Sequence, residues 1–169
     1  MTLLYLARHG ETIDNAREIM QGQTPGNLND KGIRQAFRLK EEMAGTRIDA
    51  FVSSDLRRAV QTCQIVMKAH RQQEIDRTPL LRERDWGDFT GRIISELQNE
   101  PWPENVESLE DILQRAEQFI QYIRNTYPGK TVFAVGHGII NKAIQSVLYK
   151  RPMKDIEKMA NAEVRILKI

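Results

Sequence analysis

Short apolar runs alternate with longer amphipathic stretches along this chain. Continuous apolar runs at residues 3–7 and 131–135, with a shorter one at 50–53, predict strands that are covered on both faces. Residues 163–169 alternate imperfectly between apolar and polar side chains and predict a last strand at the outside of the sheet. Apolar residues recur with the period of a helix between these runs, at residues 31–44, 55–68, 109–125 and 139–149.

The order of these elements predicts the fold class. Strands that alternate with helices are typical of an α/β protein, in which helices cover both faces of a mostly parallel sheet. We therefore expect a three-layer α/β/α sandwich. The chain has 169 residues, close to a typical domain of roughly 150, and it shows neither repeats nor an obvious linker. A single domain over residues 1–169 is the resulting expectation.

Charge and cysteine content narrow the classes of function and location. The 25 basic residues nearly balance the 23 acidic ones, and the net charge is +2. This balance argues against a nucleic-acid-binding surface spread over the protein, so any positively charged site must be assembled locally by the fold. Cys63 is the single cysteine and predicts a buried, inert thiol in a reducing compartment. Without a signal peptide or a long apolar segment, we expect a cytoplasmic protein with no membrane partner.

Candidate chemistry appears where the predicted strands end. Arg8 and His9 follow the first strand, Arg57 and Arg58 follow the second, and His137 follows the strand at 131–135. In open α/β sheets, ligands bind at the carboxyl ends of the strands. Each segment read alone could be a polar turn, but three such ends can converge at one sheet edge and form a cationic site.

Four segments in the same order resemble the histidine phosphatase superfamily, also called the phosphoglycerate-mutase-like family. The first contains Arg8-His9-Gly10, and the second, residues 53–62, contains Arg58. The third, residues 81–91, begins with Leu-x-Glu at Glu83, and the fourth is Gly136-His137-Gly138. The resemblance covers nearly the whole chain and implies the phosphoglycerate-mutase-like fold, with a short cap around residues 82–107.

The resemblance also implies catalytic roles that physical chemistry can test. His9 is the expected nucleophile, which must be neutral when it attacks phosphorus to form a phosphohistidine. Arg8, Arg58 and His137 are expected to bind the phosphoryl oxygens and stabilise their charge. Glu83 is expected to protonate the leaving oxygen and then to activate water, so it must first be protonated itself.

The same resemblance supplies further binding candidates and removes the need for a metal. Because arginines carry the charge, no metal ion or other cofactor is expected, and the sequence has no cluster with metal-ligand spacing. The additional phosphate- or substrate-binding candidates are Asn15, Gln21, Gly22, Thr24 and Gly138.

Some of these assignments have competitors in the sequence. A shift of one residue in the second segment would exchange Arg58 for Arg57. Glu83 lies near Asp85 and Asp88, and only its place in the Leu-x-Glu pattern selects it. Other residues are expected outside the chemistry: His70 at the surface, and Trp86 and Trp102 in packing.

The substrate class follows from the length of the cap. Only 39 residues separate Gly91 from Thr131, where mutases of the family carry longer insertions. A short cap leaves the site accessible to water, which favours hydrolysis of a small phosphorylated metabolite, and an acid at Glu83 favours an alkyl ester. Three alternatives remain: a phosphoglycerate mutase, a phosphatase of phosphohistidine in proteins, and a module that binds phosphorylated ligands without catalysis. The oligomeric state is left open.

Overall fold

A five-stranded sheet in the order β3-β2-β4-β1-β5 lies at the centre of the computed structural model, which describes residues 1–72 and 74–169. The strands are β1 (Leu3–Arg8), β2 (Ala50–Ser54), β3 (Asp76–Thr78), β4 (Thr131–Gly136) and β5 (Val164–Lys168). The first four strands run parallel to one another, while β5 pairs antiparallel with β1 at the sheet edge. The four predicted strands are therefore confirmed, and β3 is an addition that the sequence pattern missed.

Helices connect the strands and end close to the predicted positions. They are α1 (Ile13–Ala16), α2 (Asp30–Met43), α3 (Arg57–Met67), α4 (Leu109–Thr126) and α5 (Gly138–Tyr149). Asn29 caps α2 by accepting from the Gly32 N–H, and Ser108 caps α4 by accepting from the Asp111 N–H. The four-residue helix α1 was not predicted, because one helical turn is too short to produce a recognisable period.

The helices cover the two faces of the sheet. Ile120 of α4 and Ile144 of α5 belong to one core cluster, with Leu4 and Val132 of the sheet. The other face packs against α2 and α3, where burial raises the pKa of the Cys63 thiol and so keeps it protonated. This arrangement confirms the three-layer α/β/α sandwich. Within the described residues, no helix has both the length and the apolar character needed to cross a bilayer.

The parallel register aligns the ends of three strands. Arg8 of β1 pairs with Gly136 of β4, and Ser53 of β2 pairs with Val135 of β4. The residues that follow these strands therefore emerge side by side at the carboxyl edge of the sheet, as the sequence predicted.

Candidate active site

The turn after β1 depends on close contact between two glycines. A Cβ atom on Gly10 would lie 2.5 Å from the carbonyl oxygen of Gly32, and one on Gly32 would lie 2.0 Å from that of Glu11. The N-terminal turn of α2 therefore packs directly on the backbone that carries His9. The contact that excludes a side chain at Gly10 comes from α2.

His9 is buried and oriented by the backbone. Its ring is 2% exposed, and Nδ1 lies 2.7 Å from the Gly10 carbonyl oxygen, to which it donates in the neutral form. Burial, followed by the charges of Arg58 and Arg8, lowers the pKa of His9 well below its ordinary value. The imidazole is therefore neutral at pH 7, and the proton on Nδ1 leaves the lone pair on Nε2.

Arg58 enters the site from the first turn of α3 and is held by the loop that precedes α2. Its Nη1 donates to the Thr24 carbonyl at 2.5 Å, and its Nη2 donates to the Gly22 carbonyl at 2.8 Å. The side chain is 1% exposed, and burial lowers the pKa of Arg58 to about 10. It therefore remains a cation at neutral pH. Arg57 contacts Asn27 in an exposed position and does not line the cavity, whereas Arg58 does.

Arg8 supplies a second cation at the end of β1. Its Nη1 donates to the Met159 carbonyl at 2.8 Å, and the residue also lines the cavity. Burial lowers the pKa of Arg8, and the negative charge of Glu83 opposes this shift. The Nε atoms of Arg8 and Arg58 are both buried and have no hydrogen-bond partner among the described residues, so each can donate to a bound oxygen.

His137 lies next to His9 where β4 leads into α5. The ring centroids of the two histidines are 5.1 Å apart, and His137 Nε2 lies 2.8 Å from the Ser54 hydroxyl. The Ser54 oxygen already accepts from the Leu56 N–H, which leaves its proton available for His137 Nε2. In that tautomer His137 Nδ1, which is buried and has no partner in the described chain, carries a hydrogen. Burial, then Arg58, lowers the pKa of His137 well below its ordinary value.

Glu83 faces these groups from the N-terminus of α5. Its carboxylate accepts from the Ile139 and Ile140 N–H groups at 3.1 Å and from the Arg84 N–H at 2.9 Å. Helix N-termini stabilise negative charge, so the site holds Glu83 without any basic partner side chain. Its competitors have other contacts: Asp85 accepts from the Gly87 N–H, and Asp88 accepts from Asn105.

These side chains surround one cavity of about 220 Å³. Eight predicted site residues line it: Arg8, His9, Asn15, Gln21, Gly22, Arg58, Glu83 and Gly138. His137 lies behind this lining, and the Thr24 hydroxyl donates to the Gln21 carbonyl, so Thr24 contributes its backbone to hold Arg58 and no side chain to the wall.

The outer part of the cavity was not predicted. Its additional lining residues are Ile19, Met20, Trp86, Ile94, Ile139 and Lys158. Trp86, expected in packing, thus also reaches the cavity. These residues come from irregular connections and a helix terminus, and no sequence period marks them as neighbours of His9.

Polar residues outside the cavity hold the backbone at His9 and Gly10. The Gly10 N–H donates to Thr62 Oγ1 at 3.1 Å, and Asn161 Nδ2 donates to the His9 carbonyl at 3.1 Å. Neither contact was anticipated, because each partner lies more than fifty residues away in the sequence. Among residues 1–72 and 74–169 there is no group of three His, Cys, Asp or Glu side chains that could hold a metal ion.

Two arginines, two histidines and a carboxylate at the carboxyl edge of an α/β/α sandwich define an enzyme of phosphate-ester chemistry. The family comparison makes the class specific: the chain belongs to the histidine phosphatase superfamily (branch 1), whose model matches residues 4–169. The protein is therefore a histidine phosphatase, and the resemblance noted in the sequence is confirmed.

The chain covers most of the length of each of several relatives. The chain is 30% identical to phosphoglycerate mutase-like protein 4 of Arabidopsis thaliana, over 98% of this chain and 79% of the relative. It is also 30% identical to the metal-independent phosphoserine phosphatase of the same plant, over 99% and 76%. The solved structure of YhfR from Bacillus stearothermophilus is 31% identical, with a TM-score of 0.92 over 100% of this chain and 92% of that one.

Proposed function

We propose that the protein is a metal-independent phosphomonoester hydrolase that forms a phosphohistidine on His9 and acts on a small phosphorylated metabolite. The observation that carries the proposal is the state of His9: a buried, neutral imidazole whose Nδ1 is held by Gly10, between two arginines and opposite Glu83. We also propose that residues 1–169 form one domain whose cap lies around 82–107, and that it acts in the cytoplasm.

Substrate binding uses the cationic end of the cavity. The Nε groups of Arg8 and Arg58 and the Nδ1 of His137 are buried donors without partners in the described chain. A phosphoryl group in the cavity can accept from the guanidinium groups of Arg8 and Arg58, which line it, and hydrogen bonds between charged partners are the stronger kind. This arrangement supports recognition of a compact dianion. Arg58 and Arg8 also neutralise the phosphoryl charge, a role that a metal ion has in other phosphatases.

The first chemical step transfers the phosphoryl group to the protein. His9 Nε2 forms a bond to phosphorus while the bond from phosphorus to the alcohol oxygen breaks, and Glu83 gives that oxygen a proton. In the unliganded site the Glu83 oxygens accept from the N–H groups of Ile139 and Ile140. We propose that the negative charge of the bound phosphate dianion favours uptake of this proton by Glu83 from solvent when substrate binds.

The second step restores the enzyme. Glu83, now a carboxylate, removes a proton from water as the water oxygen bonds to phosphorus, and the bond between phosphorus and His9 Nε2 breaks. Inorganic phosphate and neutral His9 result. The alcohol must leave before water enters, and the small cavity of about 220 Å³ supports an exchange of this kind with a small alcohol.

A phosphoglycerate mutase is the second candidate, because the phosphoglycerate mutase-like protein 4 of Arabidopsis is among the relatives. A mutase would return the phosphoryl group of phosphohistidine to a bound sugar acid in preference to water. Stimulation by a bisphosphoglycerate, with mutase turnover exceeding hydrolysis, would identify that activity and would overturn the hydrolase proposal.

The proposal is tested with a panel of phosphomonoesters in metal-free, chelating buffer. Wild type is expected to release phosphate, and His9→Ala is expected to lose on the order of 10⁴-fold or more in kcat for every ester, since it lacks the nucleophile. Activity of His9→Ala equal to wild type, or no phosphate release by wild type, would refute the enzyme mechanism.

Glu83→Gln separates the acid from the nucleophile. A nitrophenolate leaves without a proton, so this variant should impair alkyl esters by about 10²-fold or more and nitrophenyl phosphate much less. Equal losses on both esters would move the acid function to another group.

A further inference from the structure

An ion pair between an arginine and a glutamate lies next to the segment that carries Glu83, outside the cavity. Arg115 on α4 and Glu107, just before α4, form a bidentate ion pair with distances of 2.8 Å and 3.1 Å. Both side chains are mostly buried, with 15% and 13% exposed. Neither residue lines the cavity or has a place in the mechanism above.

Arg115 also binds the backbone of the segment that carries Glu83. Its Nη1 donates to the Arg82 carbonyl at 2.6 Å and to the Leu80 carbonyl at 3.1 Å. Its Nη2 donates to the carbonyl of Glu83 itself at 3.3 Å. A single planar guanidinium therefore fixes three carbonyls, on a stretch that runs from the 3₁₀ turn Pro79–Leu81 to Glu83.

Glu107 holds the next two residues of the same segment. Its Oε1 accepts from the Asp85 N–H at 3.0 Å, and its own N–H donates to the Asp85 carbonyl at 2.8 Å. Its carbonyl accepts from Arg84 Nε at 2.8 Å. The pair therefore contacts the chain on both sides of Glu83, and this fixes the point from which the Glu83 side chain reaches α5.

We propose that Arg115, held by Glu107, is a positioning residue that keeps the Glu83 carboxyl within reach of the leaving oxygen. This inference rests on the proposed function, in which Glu83 is the general acid. The phosphate-binding groups come from β1, α3 and β4, and Arg115 makes no hydrogen bond to them. Loss of Arg115 should therefore impair protonation of the leaving group and spare phosphate recognition.

The test compares Arg115→Met with wild type on an alkyl ester, phosphoserine, and on nitrophenyl phosphate. A misplacement of about 1 Å in a catalytic group costs on the order of 10²-fold in rate. We expect a loss of kcat of about that size on phosphoserine, a much smaller loss on nitrophenyl phosphate, and little change in inhibition by inorganic phosphate. An equal loss on both esters would overturn the positioning role.

A double variant distinguishes positioning from general stability. In the Glu83→Gln background, Arg115→Met should cause no further loss on phosphoserine, because the group it positions is already gone. A further loss of the same size would show that Arg115 acts elsewhere. If Glu83→Gln itself shows no preference between the esters, the assignment of the acid fails, and this result is distinct from a failure of Arg115 alone.

Matched variants control for folding. Arg92→Met removes another bidentate arginine–glutamate pair eight residues apart, Arg92 with Glu100, and should leave the ratio of the two activities unchanged. If Arg115→Met does not fold, as judged by circular dichroism, Arg115→Lys and Glu107→Gln take its place. Both retain part of the contacts and should lower the same ratio by a smaller factor; a wild-type ratio in both would overturn the proposal.

Discussion

The two halves of the cavity are built by different means. The phosphate end consists of side chains at the ends of β1 and β4 and at the start of α3, where the register of the sheet brings Arg8 beside Gly136. The opposite end, residues 82–107, contains only two short 3₁₀ turns, Gly87–Phe89 and Ile94–Leu97, and one isolated β-bridge, so side chains supply much of its support. One half is therefore positioned by the sheet, and the other by ion pairs and aromatic contacts together with a few backbone hydrogen bonds.

Aromatic packing shows how the second half is held. The guanidinium of Arg84 lies 4.8 Å from the centroid of the Trp86 ring and 5.1 Å from that of Trp102. The two tryptophan rings meet edge to face at 5.4 Å, and Trp86 forms part of the cavity wall. Such contacts are each worth about 0.5–1.5 kcal/mol, so individual substitutions can alter this half without unfolding the sheet. Substitutions among residues 82–107 should therefore change selectivity for the alcohol without removing the groups proposed to bind phosphate.

After the loss of the nucleophile in His9→Ala, the largest predicted effect concerns the phosphate end. Arg58→Met should lower kcat/KM by about 10²–10³-fold on phosphoserine and on nitrophenyl phosphate alike, because both esters carry the same phosphoryl group. This uniform loss contrasts with the selective loss expected for Glu83→Gln. Steady-state kinetics on the two esters measures it.

Arg57→Met is the matched control for this experiment. Its side chain lies one residue away and makes a single exposed contact of 3.4 Å with Asn27, so its removal should change kcat/KM less than about twofold. A large loss for Arg57→Met with none for Arg58→Met would reverse the assignment.

This contrast also explains which site residues the sequence could predict. Arg8, His9, Arg58 and His137 follow apolar runs or begin an amphipathic helix, and parallel strands bring such positions to one edge. These signals are local, and the topology that unites them follows from general rules of α/β folds. Of the eight candidates that line the cavity, Arg8, His9 and Arg58 are of this kind, whereas Asn15, Gln21, Gly22 and Glu83 came from the family resemblance.

The remaining lining residues could not be predicted for a physical reason. Lys158 and Ile94 lie in connections whose path depends on distant contacts, such as the bridge between Ile19 and Ile93. The strand β3 was missed because Asp76–Thr78 has three residues and no apolar run. Likewise, in the sequence Arg115 is one of several polar residues of an amphipathic helix, and only the tertiary structure places it beside Glu83.

The second prediction tests how tightly the phosphate end is packed. Gly32→Ala would place a Cβ atom 2.0 Å from the Glu11 carbonyl oxygen, and backbone atoms there cannot move without displacing the turn that carries His9. We expect the free energy of unfolding to fall by about 2–3 kcal/mol, as for other overpacked sites. Urea unfolding followed by circular dichroism measures the change.

Gly45→Ala provides the comparison for Gly32→Ala. A Cβ atom at Gly45 would meet nothing within 4 Å, so this variant should be as stable as wild type or slightly more stable. If both variants unfold at the same urea concentration as wild type, the contact between Gly10 and Gly32 does not constrain the turn.

The third prediction concerns the dependence of stability on pH. Burial lowers the pKa values of His9 and His137 in the folded protein, whereas in the unfolded chain both bind protons below about pH 6.5. Stability is therefore complete above pH 6.5 and is lost as the pH falls below it. Between pH 6.5 and 5.5 we expect each histidine to remove about 1 kcal/mol from the free energy of unfolding.

Substitution of the histidines should flatten this dependence. His9→Asn/His137→Asn is expected to lose most of the slope between pH 6.5 and 5.5 in phosphate-free buffer, measured by urea unfolding at each pH. His70→Asn is the comparison: burial also lowers the pKa of this half-buried histidine, so its removal should flatten the slope, but less than the double substitution does. An unchanged slope in the double variant would mean that the two buried rings are protonated in the folded state.

The smallest predicted effect concerns the outer half of the cavity, where Lys158 supplies a cation in addition to the two arginines. A carboxylate on the alcohol side of a substrate can interact with this ammonium group, and exposed ion pairs contribute about 0.2–1 kcal/mol. Lys158→Met should therefore raise KM for phosphoserine by less than about fivefold and leave KM for glycerol 3-phosphate unchanged. Lys154→Met, which removes an exposed lysine outside the cavity lining, should change neither value. An equal rise in KM for both esters would mean that Lys158 belongs to the phosphate-binding groups and not to the half of the cavity that contacts the alcohol.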